Sequence, residues 1–103
     1  MLESAIEKKV CAYGTKTGWL VRKLQWIGRH GAPDRLFMMA GFVLFIEFKQ
    51  RGKKPTEHQR IEHERLRAAG MIVHIVDDVD NGKALLDRLR PGRRNARCSD
   101  DLV

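Results

Sequence analysis

Residues 34–49 read DRLFMMAGFVLFIEFK, two apolar runs parted by Ala40-Gly41. Phe, Val and Ile dominate and a glycine sits in the middle, so a β-hairpin over 34–39 and 42–49 is expected rather than one long helix. With Ala40-Gly41 as a two-residue loop, residues whose numbers sum to 81 lie opposite one another: Met39 faces Phe42, and Asp34 faces Glu47. Directly opposed residues share a sheet face, with Cβ atoms about 4.5–5.5 Å apart. Lys49, two residues beyond Glu47, shares that face. The hairpin is therefore expected to gather two carboxylates and an ammonium at its open end. Like charges so placed repel and raise the pKa of one carboxylate, and a hard divalent cation, Mg²⁺ or Mn²⁺, removes the conflict. A loop one residue longer or shorter would send Glu47 to the far face.

Outward from the hairpin, Thr56 and Gln59 form a T-x-x-Q capping box after Pro55, opening a helix that runs to Gly70. Met71 to Val76 is a short apolar strand expected to be buried. Asp77-Asp78-Val79-Asp80 leads into a last helix, where Ala84, Leu85 and Leu89 can face the core and the acids suit the N-terminal dipole. Upstream, Ile6, Val10 and Tyr13 recur at helical spacing over residues 3–14, with Gly14 and Gly18 as stops. Residues 19–26 read as a strand, and 28–34 as a loop punctuated by Gly28, Gly31 and Pro33. The expected fold is α/β: an α-β-β-β-α-β core with a mixed four-stranded sheet flanked by helices, plus a C-terminal helix. The helix between the third and fourth strands is a crossover, which favours a right-handed connection onto a mixed sheet. Residues 1–90 are expected to form one domain, and 91–103 a tail without periodicity.

At 103 residues the chain has room for one core, which excludes an enzyme with separate cofactor and substrate lobes. No organic cofactor is expected. The net charge of +7 is unevenly placed: residues 8–67 carry 14 basic and 5 acidic side chains, whereas 68–103 carry 6 of each. Such concentration is the footprint of phosphate-backbone binding. Arg51, Lys53 and Lys54 sit in one loop; Arg29, His30 and Arg35 flank another. No apolar run approaches a membrane span, and MLESAIEKK does not read as a leader, so a cytoplasmic location, in a bacterial or phage-infected cell, is expected. Cys11 and Cys98 belong to no C-x-x-C pair and read as free thiols, although one long-range disulfide is open; a zinc site is not expected.

Gly31-Ala32-Pro33-Asp34, Phe45-Ile46-Glu47-Phe48-Lys49 and the downstream Gln59 together resemble the VRR-NUC (virus-type replication–repair nuclease) branch of the PD-(D/E)XK nucleases. The resemblance spans Glu3 to Asp80 in the matching element order. A lone P-D or E-x-K means little; both at this spacing are far more specific. The resemblance implies that Asp34, Glu47 and the backbone carbonyl of Phe48 hold the metal and that Lys49 sits beside the attacking water. The family's first-helix acid maps to Glu7 or Glu3, with Glu7 preferred, as a further metal ligand and catalytic residue. Gln59 falls near the site. Stand-alone members resemble Holliday-junction resolvases, which implies a homodimer acting on branched DNA; the placement of charge points to Arg29, His30, Arg35, Arg51, Lys53 and Lys54 as the backbone contacts.

Each of these residues has a plainer reading. Asp34 after Pro33 suits a turn, Glu47 can pair with Lys49, and Gln59 serves the capping box. Glu3 and Glu7 suit a solvated helix end, and His58 and His63 read as solvated or half-buried helix positions, not metal ligands. Trp19, Trp26 and Met38-Met39 read as core or interface. Two rival classes share the same charge: a non-catalytic nucleic-acid-binding module, and an accessory subunit of a phage replication or repair complex.

Overall fold

The computed structural model describes residues 1–91. Seven elements follow in chain order: α1 (Glu3–Lys16), β1 (Leu20–Lys23), β2 (Arg35–Met39), β3 (Phe42–Phe48), α2 (Glu57–Ala68), β4 (Ile72–Val76) and α3 (Val79–Leu89). The strands form one sheet in the order β1-β2-β3-β4; the first two pairings are antiparallel, and β3 runs parallel to β4 through the α2 crossover. This is the mixed sheet expected from the element order. The expected tail, 91–103, lies outside the described residues apart from Pro91.

The hairpin turns where the residue pattern places it. Met39 pairs with Phe42 and Phe37 with Leu44, so the sum-81 register holds along the ladder as far as Arg35 and Ile46. Both loop residues have positive φ, Ala40 at 50° and Gly41 at 84°. That is the two-residue turn whose twist matches the flanking strands, and glycine takes its share of it without a steric cost.

Even-numbered β3 residues Leu44, Ile46 and Phe48 join Phe37 of β2 and Val76 of β4 in the main core, against Ile6 and Val10 of α1 and Leu85 and Leu86 of α3. Burying such side chains stabilises by about 1.5–3 kcal/mol each. Helix α1 passes through Gly14 rather than stopping there. Gly14 is buried, and a Cβ on it would meet Phe37 Cε2 at 2.9 Å and Leu86 Cδ1 at 3.3 Å. Its role is close approach of helix to sheet, not termination.

Strand β1 ends at Lys23, short of the expected residue 26, because its one partner, β2, begins at Arg35. β4 is also less buried than its apolar run suggests: it is an edge strand with Ile75 exposed, as is Met71 just before it. Helix α2 packs against β4 on the other sheet face, and its buried residues are Glu62 and His63. A helix whose inward side is polar is costly unless those groups have partners. Its first turn carries the expected capping box: Gln59 N–H donates to Thr56 Oγ1 at 3.2 Å, and Thr56 N–H donates to Gln59 Oε1 at 2.9 Å. Thr56→Ala should lower the unfolding free energy by about 1 kcal/mol in urea titrations.

Candidate active site

The site lies where β2 and β3 part, at the end of the hairpin ladder. Asp34 does not continue the ladder as a simple opposite of Glu47. Its N–H donates to the carbonyl of Ile46 at 3.0 Å, and Ile46 is already the partner of Arg35. Two consecutive residues thus share one partner, the arrangement of a β-bulge, which re-aims a side chain. The Asp34 carboxylate accepts a hydrogen bond from Phe48 N–H at 2.7 Å. A half-desolvated carboxylate gains more from an amide donor than from standing squarely against a second acid. The expected face-to-face pairing is corrected in this detail, yet the two carboxylates remain within electrostatic reach. Burial pushes the Asp34 carboxyl up to about 6; the Phe48 amide opposes this, and the charges of Glu47, Glu7 and Glu3 add to it.

Gly31 holds the approach to Asp34 in place. Its φ is +95°, and a Cβ there would run into the carbonyl of His58 on α2. Only glycine lets the 28–33 loop press against the helix at this point. His30 then stacks near His58, ring centroids 5.2 Å apart, over a cavity of about 290 Å³ bordered also by Arg29, Glu62 and Arg65.

Glu47 is 1% exposed. Gln59 Nε2 donates to its Oε2 at 2.8 Å, and Lys49 Nζ lies 3.7 Å from the same oxygen with 12% of its side chain exposed. Gln59 therefore does two things at once: its oxygen caps α2 and its nitrogen holds Glu47. On the other oxygen, Oε1, the neighbour is His63 Nε2 at 3.7 Å, and His63 is as buried as Glu47. His63 thus differs from its solvated or half-buried reading. The signal was the i, i+4 spacing from Gln59, which puts both side chains on one helix face.

The other expected residues fall into two groups. Glu7, on α1, accepts from Arg35 Nε at 2.6 Å and has Lys23 Nζ at 3.7 Å, so Arg35 is engaged with an acid. Arg51 is likewise paired with Asp78 at 2.6 Å, and Gly52 N–H donates to Asp77, tying the 49–56 loop to the start of α3. Arg29, His30, Lys53 and Lys54 are exposed. Cys11 is half-buried with no disulfide partner among the described residues, and burial first of all pushes its thiol up to about 11. Cys98 lies outside those residues.

The donor set fits a hard divalent cation. Asp34 and Glu47 offer oxygen ligands, Glu47 Oε1 is buried without a hydrogen-bond partner, and a cation would offset both the burial that chiefly pushes Asp34 up and the neighbouring acid charges that add to it. No group of three or more His, Cys, Asp or Glu stands at ligating geometry among the described residues. A cation here would complete its shell with backbone carbonyl and water, as Mg²⁺ commonly does.

The mixed sheet, with α1 and α3 on one face and α2 on the other, matches the VRR_NUC nuclease fold. A solved structure described as a VRR_NUC domain matches it with a TM-score of 0.78 and 36% sequence identity, over 84% of this chain and 96% of that one. A second, described as a VRR_NUC domain protein, has the same fold at a TM-score of 0.71 and 17% identity, over 84% and 86% of the two chains. "Putative nuclease p44" of Acyrthosiphon pisum secondary endosymbiont phage 1 is 40% identical over 79 residues, covering 76% of this chain and 85% of that protein. No protein-family model matches the chain. The chain belongs to the VRR-NUC family of nucleases. Use of a divalent metal is general to that fold. No helix among the described residues is long and apolar enough to cross a membrane.

Proposed function

We propose that the chain is a Mg²⁺- or Mn²⁺-dependent endonuclease that hydrolyses phosphodiester bonds in branched DNA, such as four-way junctions, as a cytoplasmic homodimer. The observation that carries this reading is the buried Glu47 carboxylate, flanked by Lys49 and Gln59 and electrostatically coupled to Asp34. Burying so many polar groups in a sheet face costs stability, and an active site is where such a cost persists.

Asp34, Glu47 and the carbonyl of Phe48 would hold the cation, which when bound supplies Lewis acidity and a nucleophile at neutral pH. Glu7 borders the site from α1, and through its ion pair it orients Arg35. Lys49 places a positive charge where negative charge develops on the phosphate, a term that is large in a water-poor site. Gln59 fixes the Glu47 carboxylate. Arg29, His30, Lys53 and Lys54 present exposed donors to the backbone, and Arg35 and Arg51 place further charge beside them. Such contacts set position rather than sequence preference. One chain carries one such site, and cutting two strands symmetrically takes two, which a C₂ dimer provides.

The test is cleavage of a four-way junction, a flap, a duplex and a single strand, each with Mg²⁺, Mn²⁺ or EDTA. Junction cleavage in paired strands with either metal and none in EDTA is expected. Cleavage of all four substrates at equal rates would remove the branched-DNA assignment, and equal rates in EDTA would remove the metal. Light scattering should give twice the 11.9 kDa chain mass; a value equal to the chain mass at micromolar concentration removes the dimer.

A further inference from the structure

Among the described residues four buried side-chain atoms lack a hydrogen-bond partner, and two of them, Glu47 Oε1 and His63 Nε2, lie 3.7 Å from one another. Both residues are 1% exposed, so water does not satisfy either atom from outside. Buried polar atoms without partners are uncommon, and each one points to a role in the site or to a partner it meets there. Helix α2 supplies both neighbours of the Glu47 carboxylate: Gln59 holds Oε2, and His63, one turn further on, faces Oε1. Contacts of this kind are often long in an empty active site and tighten when it is loaded.

We propose that His63 is a positioning residue that presents Nε2–H to Glu47 Oε1 and, with Gln59, holds both oxygens of the proposed metal ligand. This rests on the nuclease reading above, with Glu47 as a ligand. It adds that α2 is the wall against which the carboxylate is set. A hydrogen-bond partner of a ligating carboxylate fixes its orientation, and losing one commonly costs 10–100-fold in metal affinity or activity. His63 itself touches neither metal nor DNA in this scheme.

The experiment compares His63→Gln with His63→Met. The two replacements are close in length and shape, but only Gln carries an N–H to donate. Mn²⁺ affinity is measured by calorimetry on the intact protein, with wild type and Glu47→Gln as references and thermal melts to establish folding. Wild type should bind Mn²⁺ and Glu47→Gln should not. His63→Met should bind about 10-fold more weakly, while His63→Gln stays within about threefold of wild type. In cleavage assays His63→Met should show a raised Mn²⁺ requirement with an unchanged KM for DNA. Equal Mn²⁺ affinity in His63→Met and wild type overturns the role of His63 and leaves the nuclease reading intact. An equal loss in both variants likewise overturns it, since a packing role alone would produce that result. Should wild type and Glu47→Gln bind Mn²⁺ alike, the metal-site reading falls first and this inference with it.

Discussion

Replacing Asp34 with Asn is expected to reduce metal-dependent cleavage on the order of 10³-fold while making the free protein more stable at pH 8. The first effect is the loss of one oxygen, and of the charge, from a proposed metal ligand. The second follows from the raised carboxyl. In the unfolded chain Asp34 loses its proton near 3.8, and in the folded protein near 6, chiefly because burial penalises the charged form. Below about pH 3.8 both states are protonated and the residue contributes nothing. As pH rises from there to about 6 the folded state retains a proton the unfolded state has released, so stability falls. Above about 6 both states are ionised and the full penalty is in place, about 1–2 kcal/mol once the solvent that still reaches the half-buried carboxyl is allowed for. Asn cannot ionise, yet its amide oxygen still accepts from Phe48 N–H. The melting temperature of the variant should therefore exceed that of wild type at pH 8 and converge with it near pH 3.5. Saturating Mg²⁺ should narrow the gap by stabilising wild type alone. A variant no more stable than wild type at pH 8 would show that Asp34 carries no unfavourable charge. The same proton competes with the metal, so wild-type metal affinity should weaken below pH 6.

Much of this geometry was legible in the residues. The Ala40-Gly41 turn, the ladder from Met39–Phe42 to Arg35–Ile46 and the Thr56–Gln59 box each depend on local chemistry, and each stands where that chemistry puts it. The bulge at Asp34 was not legible, because it depends on a half-buried carboxylate choosing the Phe48 amide over the extension of a register. Nor was the burial of His63. A helix reading EHQRIEHERLRA gives no apolar stripe on which to orient itself, so its inward face is defined by what the sheet offers, here an acid. Gly14 misled for a related reason: glycine marks both helix ends and close packing, and only the position of Phe37 across the core tells them apart. The engagement of Arg35 with Glu7 and of Arg51 with Asp78 likewise depends on contacts between elements distant in sequence. The hairpin register pointed to Asp34 and Glu47, family resemblance added the Phe48 carbonyl and Glu7, and packing decided how they are held.

Lys49→Ala should move cleavage in the same direction as Asp34→Asn and stability in the opposite one. The rate is expected to fall about 10²–10³-fold, the usual loss when one preorganised charge or donor is removed from a transition state. Stability should fall as well, by about 2 kcal/mol, because the substitution strips the nearest cation from a carboxylate that is almost wholly buried. Lys49 retains some contact with solvent, which places the expected cost below that of a fully buried pair. A double variant separates charge from shape. If the cost of Lys49→Ala is the unpaired Glu47 charge, then Glu47→Gln in the same chain should restore most of the lost stability, since the amide keeps its bond to Gln59 and no longer needs a cation. Cleavage should stay at the level of the worse single variant, because in the proposed mechanism Glu47 and Lys49 serve one reaction. Urea titrations of the two single variants and the double variant give the coupling directly. Additive losses of stability would mean that Glu47 and Lys49 are merely neighbours. A strong rescue of stability without rescue of cleavage would identify the pair as a charge balance built for the reaction: the site holds an excess of negative charge that Asp34 aggravates, Lys49 relieves in part, and a bound cation would complete.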